Sequence, residues 1–275
     1  VLVKCGGGAL LNSRELRVGL AGSLGVLLIS ALAFALPIWV LALGPIVWGV
    51  PHVLADIRYM VIQPGLHRGR WLTVVAAVGV LWAGGGGGLW ATGWTLMVLA
   101  ACLGTQLGRS AVIGGVGLAL AGLGHLYPWA SVVVFLHLHN FVAFGIWWYW
   151  RRRMTLWHFA TGGVALAAMV LILAGAFDGW SAMDLGFALW PQGFSPQACR
   201  HMLAPGLSLV WGDRLVMLFA LAQSFHYLVW LRLIPEEARR QPTPPSFASS
   251  YHRLVKDFPE ALLAVFGLLA FGFVV

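Results

Sequence analysis

Apolar side chains run through the chain in long stretches, and polar positions interrupt them at intervals that suit membrane-crossing helices. A span needs about 20 apolar residues, because a bilayer core of about 30 Å is crossed at about 1.5 Å per residue. The pattern predicts spans over 18–42, 45–63, 71–84, 89–107, 111–124, 128–150, 155–177, 213–233 and 259–275. Two of these, 71–84 and 111–124, are short. The first runs into Gly84 to Gly88, which either extend it or form a turn, so the count is seven to nine. The expected fold is an all-α polytopic transmembrane helix bundle, a single integral-membrane domain over 1–275. Two long connections belong to it, 178–212 outside and 234–258 on the cytoplasmic side.

Composition excludes the alternatives. Of 275 residues, 60% are hydrophobic and 9% are charged, whereas a soluble domain carries about 25% charged residues. The formal charge of +8 would raise nucleic acid as a partner in a soluble protein. With the N-terminus placed in the cytoplasm, however, 15 of the 17 Lys and Arg residues fall in inner segments, and only Arg200 and Arg214 fall outside. The charge excess is then an orientation signal, no nucleic acid is needed, and a bacterial inner (cytoplasmic) membrane is the expected location. Arg14, Arg17, the apolar run after them and Ala33-Phe34-Ala35 look like a signal peptide. The run continues past Ala35, so it is read as an uncleaved first span. The three cysteines, Cys5, Cys102 and Cys199, form no CxxC pair, which removes a disulfide framework or zinc ribbon.

Against this background the ionisable residues inside spans stand out, since each costs several kcal/mol unless paired or functional. The second span contains Pro51-His52, Asp56, Arg58 and Tyr59. His52, Asp56 and Tyr59 follow i, i+4, i+7 and share one face of a regular helix. The sixth span contains His137, His139 and Asn140. Two histidines at i and i+2 lie about 200° apart, so one faces inward and the other a neighbour; the His137–Asn140 face slightly favours His137. In the eighth span Gln223, His226 and Trp230 share a face. All three spans run in the same direction in the proposed topology, so they can deliver imidazoles to one depth. Imidazole nitrogens with a carboxylate make a mixed N/O metal site. Asp56 is a ligand or an orienting acceptor for a ligand's ring N–H, and a histidine taken alone more often hydrogen-bonds a carbonyl or bridges helices than binds metal. His125 and His201 are weaker candidates. Cys199, His201 and Met202 are copper-type donors in the outer loop. Tyr59, Tyr227, Trp147, Trp148 and Trp230 are candidates to line a lipophilic pocket, although Trp147 and Trp148 fit an interface belt or bundle core better.

The pattern Pro51-His52-x-x-x-Asp56, with single histidines in later helices, resembles the Brp/Blh family of membrane β-carotene 15,15′-dioxygenases. That resemblance implies His52 as a ligand to a non-haem iron, Asp56 as its nearby carboxylate, and dioxygen-dependent cleavage of a carotenoid. The repeated HxxxH and HxxHH boxes of membrane desaturases are absent, as are GxSxG, HExxH and P-loop motifs. The expected function is therefore a His-ligated membrane metalloprotein, a non-haem iron oxidoreductase acting on a lipophilic molecule. Its ligands are His52, His137 or His139, and His226; Asp56 and Tyr59 are its catalytic candidates; Asn140, Gln223 and Trp230 surround the cofactor. The alternative is a non-catalytic subunit of a larger membrane complex, holding haem or a pigment through an axial histidine or simply packing against other membrane subunits.

Overall fold

The computed structural model describes residues 14–63, 65, 68–102, 107–150, 156–178, 195–238, 246–258 and 260. Helices and short turns account for all of them, and no strand occurs among the described residues. Five helical stretches are long and apolar enough to cross a membrane: Glu15–Ala35, Arg70–Cys102, Gly108–Leu126, Pro128–Tyr149 and Leu209–Glu236. Counting Pro37–Gly49 with Pro51–Ile62 as one broken span adds a sixth. The predicted last span, 259–275, lies outside the described residues apart from Glu260. The chain divides into two compact units, Val1–Trp48 with Asn140–Pro244, and Gly49–His139 with Pro245–Val275.

The first unit contains α1 (Arg14–Ala35), α2 (Pro37–Gly44) and π1 (Pro45–Gly49) up to Trp48. The predicted run 18–42 is thus broken at Leu36 (φ −138, ψ 53). The cause is local, because the Pro37 ring disfavours the α conformation at the residue before it. After a gap the unit resumes with the second half of a helix over Pro128–Trp150, then helices over Leu156–Leu173, Pro196–Leu203 and Leu209–Leu228, the last continuing through the π-helical Val229–Leu233 into Ile234–Ala238. Leu209–Leu228 is the centre of the unit, with Val216, Met217, Ala220, Leu221 and Phe225 all buried. Around it small residues allow close approach, as in membrane bundles generally. Gly22 faces Thr161 and Leu233, Gly25 faces Leu228, and Gly44 faces Tyr227. The Thr161 hydroxyl donates to the Gly19 carbonyl at 3.2 Å and lies 3.3 Å from Ser23 Oγ.

The second unit opens with α3 (Val50–Asp56) and π2 (Ile57–Ile62), followed by α4 (Arg70–Trp82), π3 (Ala83–Gly87), α5 (Gly88–Cys102), α6 (Leu107–Leu126) and the first half of α7 (Pro128–Trp150). In the first unit, α8 is Leu156–Leu173, α9 is Pro196–Leu203, α10 is Leu209–Leu228, π4 is Val229–Leu233 and α11 is Ile234–Ala238; α12 (Phe247–Asp257) belongs to the second. The stretch Arg70–Cys102 is not a single rod. Gly85 and Gly86 leave helical geometry, with φ +106 at Gly86 and +49 at Gly88. Such positive φ values cost little only without a Cβ. The chain reverses there, so that Gly79 meets Thr95 and the Trp82 and Trp90 rings sit edge to face at 4.9 Å. The five-glycine run is therefore a turn, not an extension, and its two limbs are about 20 and 23 Å long, each short of a full bilayer core. α5 and α6 then pack backbone to backbone: a Cβ at Gly93 would collide with Gly117 and Ala121, and one at Gly124 with Trp90. The short predicted run 111–124 is in fact part of a helix of 20 residues.

Candidate metal centre

In the second unit His52 and Asp56 stand one turn apart on α3, with Pro51 in its first turn. Their ligand-type atoms lie within 4.8 Å of each other, and both residues are half-buried. The carboxylate oxygen Oδ1 of Asp56 is buried and has no hydrogen-bond partner among the described residues. A buried carboxylate oxygen without a donor is costly, and a cation held jointly with the neighbouring imidazole would remove that cost. The α3 turn is enclosed by π-helical turns on both sides, Pro45–Gly49 before it and Ile57–Ile62 after it. The Gln63 N–H donates to the Arg58 carbonyl at 3.0 Å, the i→i+5 bond of a π turn. Such insertions are frequent at functional sites.

Tyr59 lies inside the π2 turn, where the regular register of α3 no longer holds. Tyr59 is 5% exposed, and the Arg58 guanidinium carbon lies 5.3 Å from its ring centroid. Tyr59 thus has a packing role against Arg58 that periodicity did not foresee.

On α7 of the same unit, His139 Nδ1 lies 3.1 Å from the Leu136 carbonyl and its ring stacks on Phe135 at 6.0 Å. Those local contacts occupy one ring nitrogen of His139. His137 is half-buried on the same helix.

In the first unit α10 carries Gln223 and His226, and Trp230 follows in π4. His226 is 5% exposed, with Trp230 at 6.5 Å and Tyr227 at 6.0 Å between ring centroids. Gln223 Oε1 and Trp230 Nε1 are buried without a hydrogen-bond partner among the described residues. α10 passes into π4 three residues after His226, so a π turn follows this histidine as one follows Asp56. Asn140 is buried, and with Ala143 and Trp147 it forms the inward face of the second half of α7. Trp147 is a core residue, packed on Phe144, Trp148 and His158.

Other sequence candidates separate. Cys199 is buried on α9 while His201 and Met202 are exposed, so the three copper-type donors do not converge. Burial pushes the Cys199 thiol up to about 11 against the opposing pull of Arg200, which makes it a poor nucleophile at neutral pH. His125 is exposed at the end of α6. Sequence reasoning missed His158, which is 1% exposed and lies with Nε2 3.6 Å from Glu15 Oε2. The available signal was an acidic residue and a histidine near the starts of two apolar helices.

No family model, no curated protein and no solved structure matches the chain.

Proposed function

We propose that this is an integral-membrane metalloprotein, a non-haem iron oxidoreductase whose substrate is a lipophilic molecule of carotenoid or isoprenoid type. The observation that carries the reading is the His52–Asp56 turn, which holds an imidazole and an unsatisfied buried carboxylate oxygen on one face between two π turns. A mixed N/O donor pair suits iron, and the softer donors that would favour copper are dispersed. His226 and one of His137 and His139 are the further imidazole donors in this reading. The local bond of His139 to the Leu136 carbonyl is what an oriented ligand histidine makes through its second nitrogen.

Asp56 either donates to the metal or holds the tautomer of a ligand. Asn140, Gln223 and Trp230 supply polar atoms near the imidazoles on their own helices. Iron would supply the redox chemistry that dioxygen needs; the chain supplies the ligands and a water-poor setting. The apolar surroundings support a lipophilic substrate, and the gathering of Lys and Arg in the predicted inner segments supports a bacterial inner membrane with the N-terminus inside.

The test is elemental analysis of the full chain purified in mild detergent, with an absorption spectrum. Near-stoichiometric iron without intense visible bands is expected, falling at least tenfold in His52→Ala and Asp56→Ala, in line with the cost of losing one ligand or its orienting partner. Strong haem or chlorin bands would transfer the histidines to the pigment-binding subunit reading. Absence of any transition metal from the intact protein would sink both the iron and the oxidoreductase.

A further inference from the structure

The second unit carries a basic surface that the metal reading does not use. α12 begins at Ser246, whose side-chain oxygen accepts from the Ser249 N–H at 3.1 Å. That cap fixes the start of a helix of 11 residues. One side of it is turned inward, with Ser250 and, just beyond its end, Phe258 buried and Leu254 half-buried between them. α12 packs against π2 of its own unit. The other side presents Tyr251, His252, Arg253 and Lys256, all exposed. The chain that leaves π2 adds Arg68 and Arg70, both exposed, and Trp71, which is 80% exposed. Asp257 and Glu260 are the acidic residues at the end of α12.

Height in the membrane is set by the neighbouring elements. Ile62 ends the broken apolar span that begins at Pro37 and Arg70 opens the apolar limb α4, so Arg68 to Trp71 lie between two apolar segments, where these meet the head groups. Exposed Trp and Tyr beside Arg and Lys are the composition of that interfacial layer. π2 ends the preceding apolar run, and α12 is seated on it. An orientation signal needs basic residues in the loop but no helix. Here the loop folds into a capped helix with its apolar side pinned to the protein and its cationic side turned out.

We propose that α12, with Arg68 and Arg70, is a docking surface for the anionic head groups of the adjoining leaflet, phosphatidylglycerol-type lipids in particular. Each Lys or Arg near an anionic surface strengthens attachment about fivefold at modest ionic strength, and salt weakens the effect. The apolar side of α12 stays on π2, so docking requires no rearrangement of the helix. It adds an outer layer of lipid phosphates that holds α12 against the segment following His52 and Asp56. The proposal does not depend on a metal.

The test is hydrogen exchange of residues 247–257 in the full chain, reconstituted in nanodiscs of phosphatidylcholine alone or mixed with phosphatidylglycerol. Slower exchange in the anionic discs is expected, with the protection reduced about fivefold for each of Arg253→Gln and Lys256→Gln and reduced again in high salt. The charge-preserving pair Arg253→Lys with Lys256→Arg should keep it, which separates loss of charge from loss of the helix. Equal exchange in the two membranes would overturn the proposal, as would protection that survives the double Gln variant. If a soluble polyanion protects the segment equally well in phosphatidylcholine discs, the surface takes an acidic macromolecule and the lipid assignment fails.

Discussion

α10 in the first unit and the α5–α6 pair in the second are both apolar helical segments, yet they are held in opposite ways. About two-thirds of the most apolar part of Leu209–Glu236 is buried, against 17% for that of Arg70–Cys102 and of Gly108–Leu126. α10 is surrounded by side chains, with Val216, Leu221 and Val229 at 0% exposure in its line. α5 and α6 instead meet through backbone, at Gly93, Gly117, Ala121 and Gly124, and turn Val112, Val116 and Leu118 outward. In lipid the apolar effect does not drive helices together, so contact has to come from close packing. Large interlocking side chains provide it at α10, and the absence of side chains provides it at α5 and α6. Polar groups follow the same division. α10 holds Gln223 and His226 inside protein, while Thr92 and Thr95 of α5 merely bond the carbonyls of Gly88 and Ala91 on their own helix. The buried helix carries candidate chemistry, and the glycine-packed pair is scaffold.

The largest effect that would test this division is Gly93→Leu. Its Cβ alone would strike the backbone of Gly117 and Ala121, which cannot rotate away as a side chain would. Loss of the α5–α6 pairing is expected, at roughly 5 kcal/mol or more, beyond ordinary overpacking. It should be read as a collapse of thermal stability in detergent together with loss of crosslinking between cysteines placed on the two helices. Leu221→Ala in α10 comes next, at roughly 2–5 kcal/mol, because a fully buried Leu leaves a cavity that its neighbours fill only partly. If Leu221→Ala costs more than Gly93→Leu, the contrast between side-chain and backbone packing is wrong.

Thr161→Val sharpens the comparison inside the first unit. Valine keeps the shape against Gly22 and removes the bond to the Gly19 carbonyl. A loss of about 1 kcal/mol is expected, since interhelical hydrogen bonds in membranes average about that or less. Chemical unfolding of the purified protein measures it. A loss as large as that of Leu221→Ala would mean that polar contacts, not packing, hold α1 on α8.

The elements legible in the sequence are those set by local chemistry. Twenty apolar residues in a row read directly as helices, and Gly84 to Gly88 mark a discontinuity whose sense as a turn appears only when Gly79 meets Thr95, whereas the break at Leu36 was hidden inside the continuous run 18–42. The His52–Asp56 turn was legible because an i, i+4 pair is a property of one helix. The π turn that holds Tyr59 was not legible, because hydropathy carries no sign of an i→i+5 bond. Glu15 and His158 escaped for another reason: they are 143 positions apart, and nothing local tells that α1 and α8 adjoin.

The smallest effect is a pH dependence at the far end of the first unit. Arg214 donates through Nε to Asp178 Oδ1 at 3.0 Å and through Nη1 to the Leu173 carbonyl at 2.9 Å, with Trp211 beneath its guanidinium at 4.8 Å. Gly175, at φ +82, makes the turn that brings Asp178 back to it, and a Cβ there would strike the guanidinium. The hydrogen bonds and charge of Arg214 hold the Asp178 carboxyl below its ordinary range. A carboxylate whose pKa is lowered on folding stabilises the fold above its unfolded pKa, near 4, and that stabilisation is lost as the pH falls through the folded value. The pair is exposed, so the contribution is slight and screened. Melting temperatures of wild type and Asp178→Asn should differ a little at pH 7 and converge below about pH 4. A constant difference across that range would show that the Asn variant disturbs the turn at Gly175 and not the ion pair. α10 would then be anchored at this end by backbone geometry, as α5 and α6 are along their length.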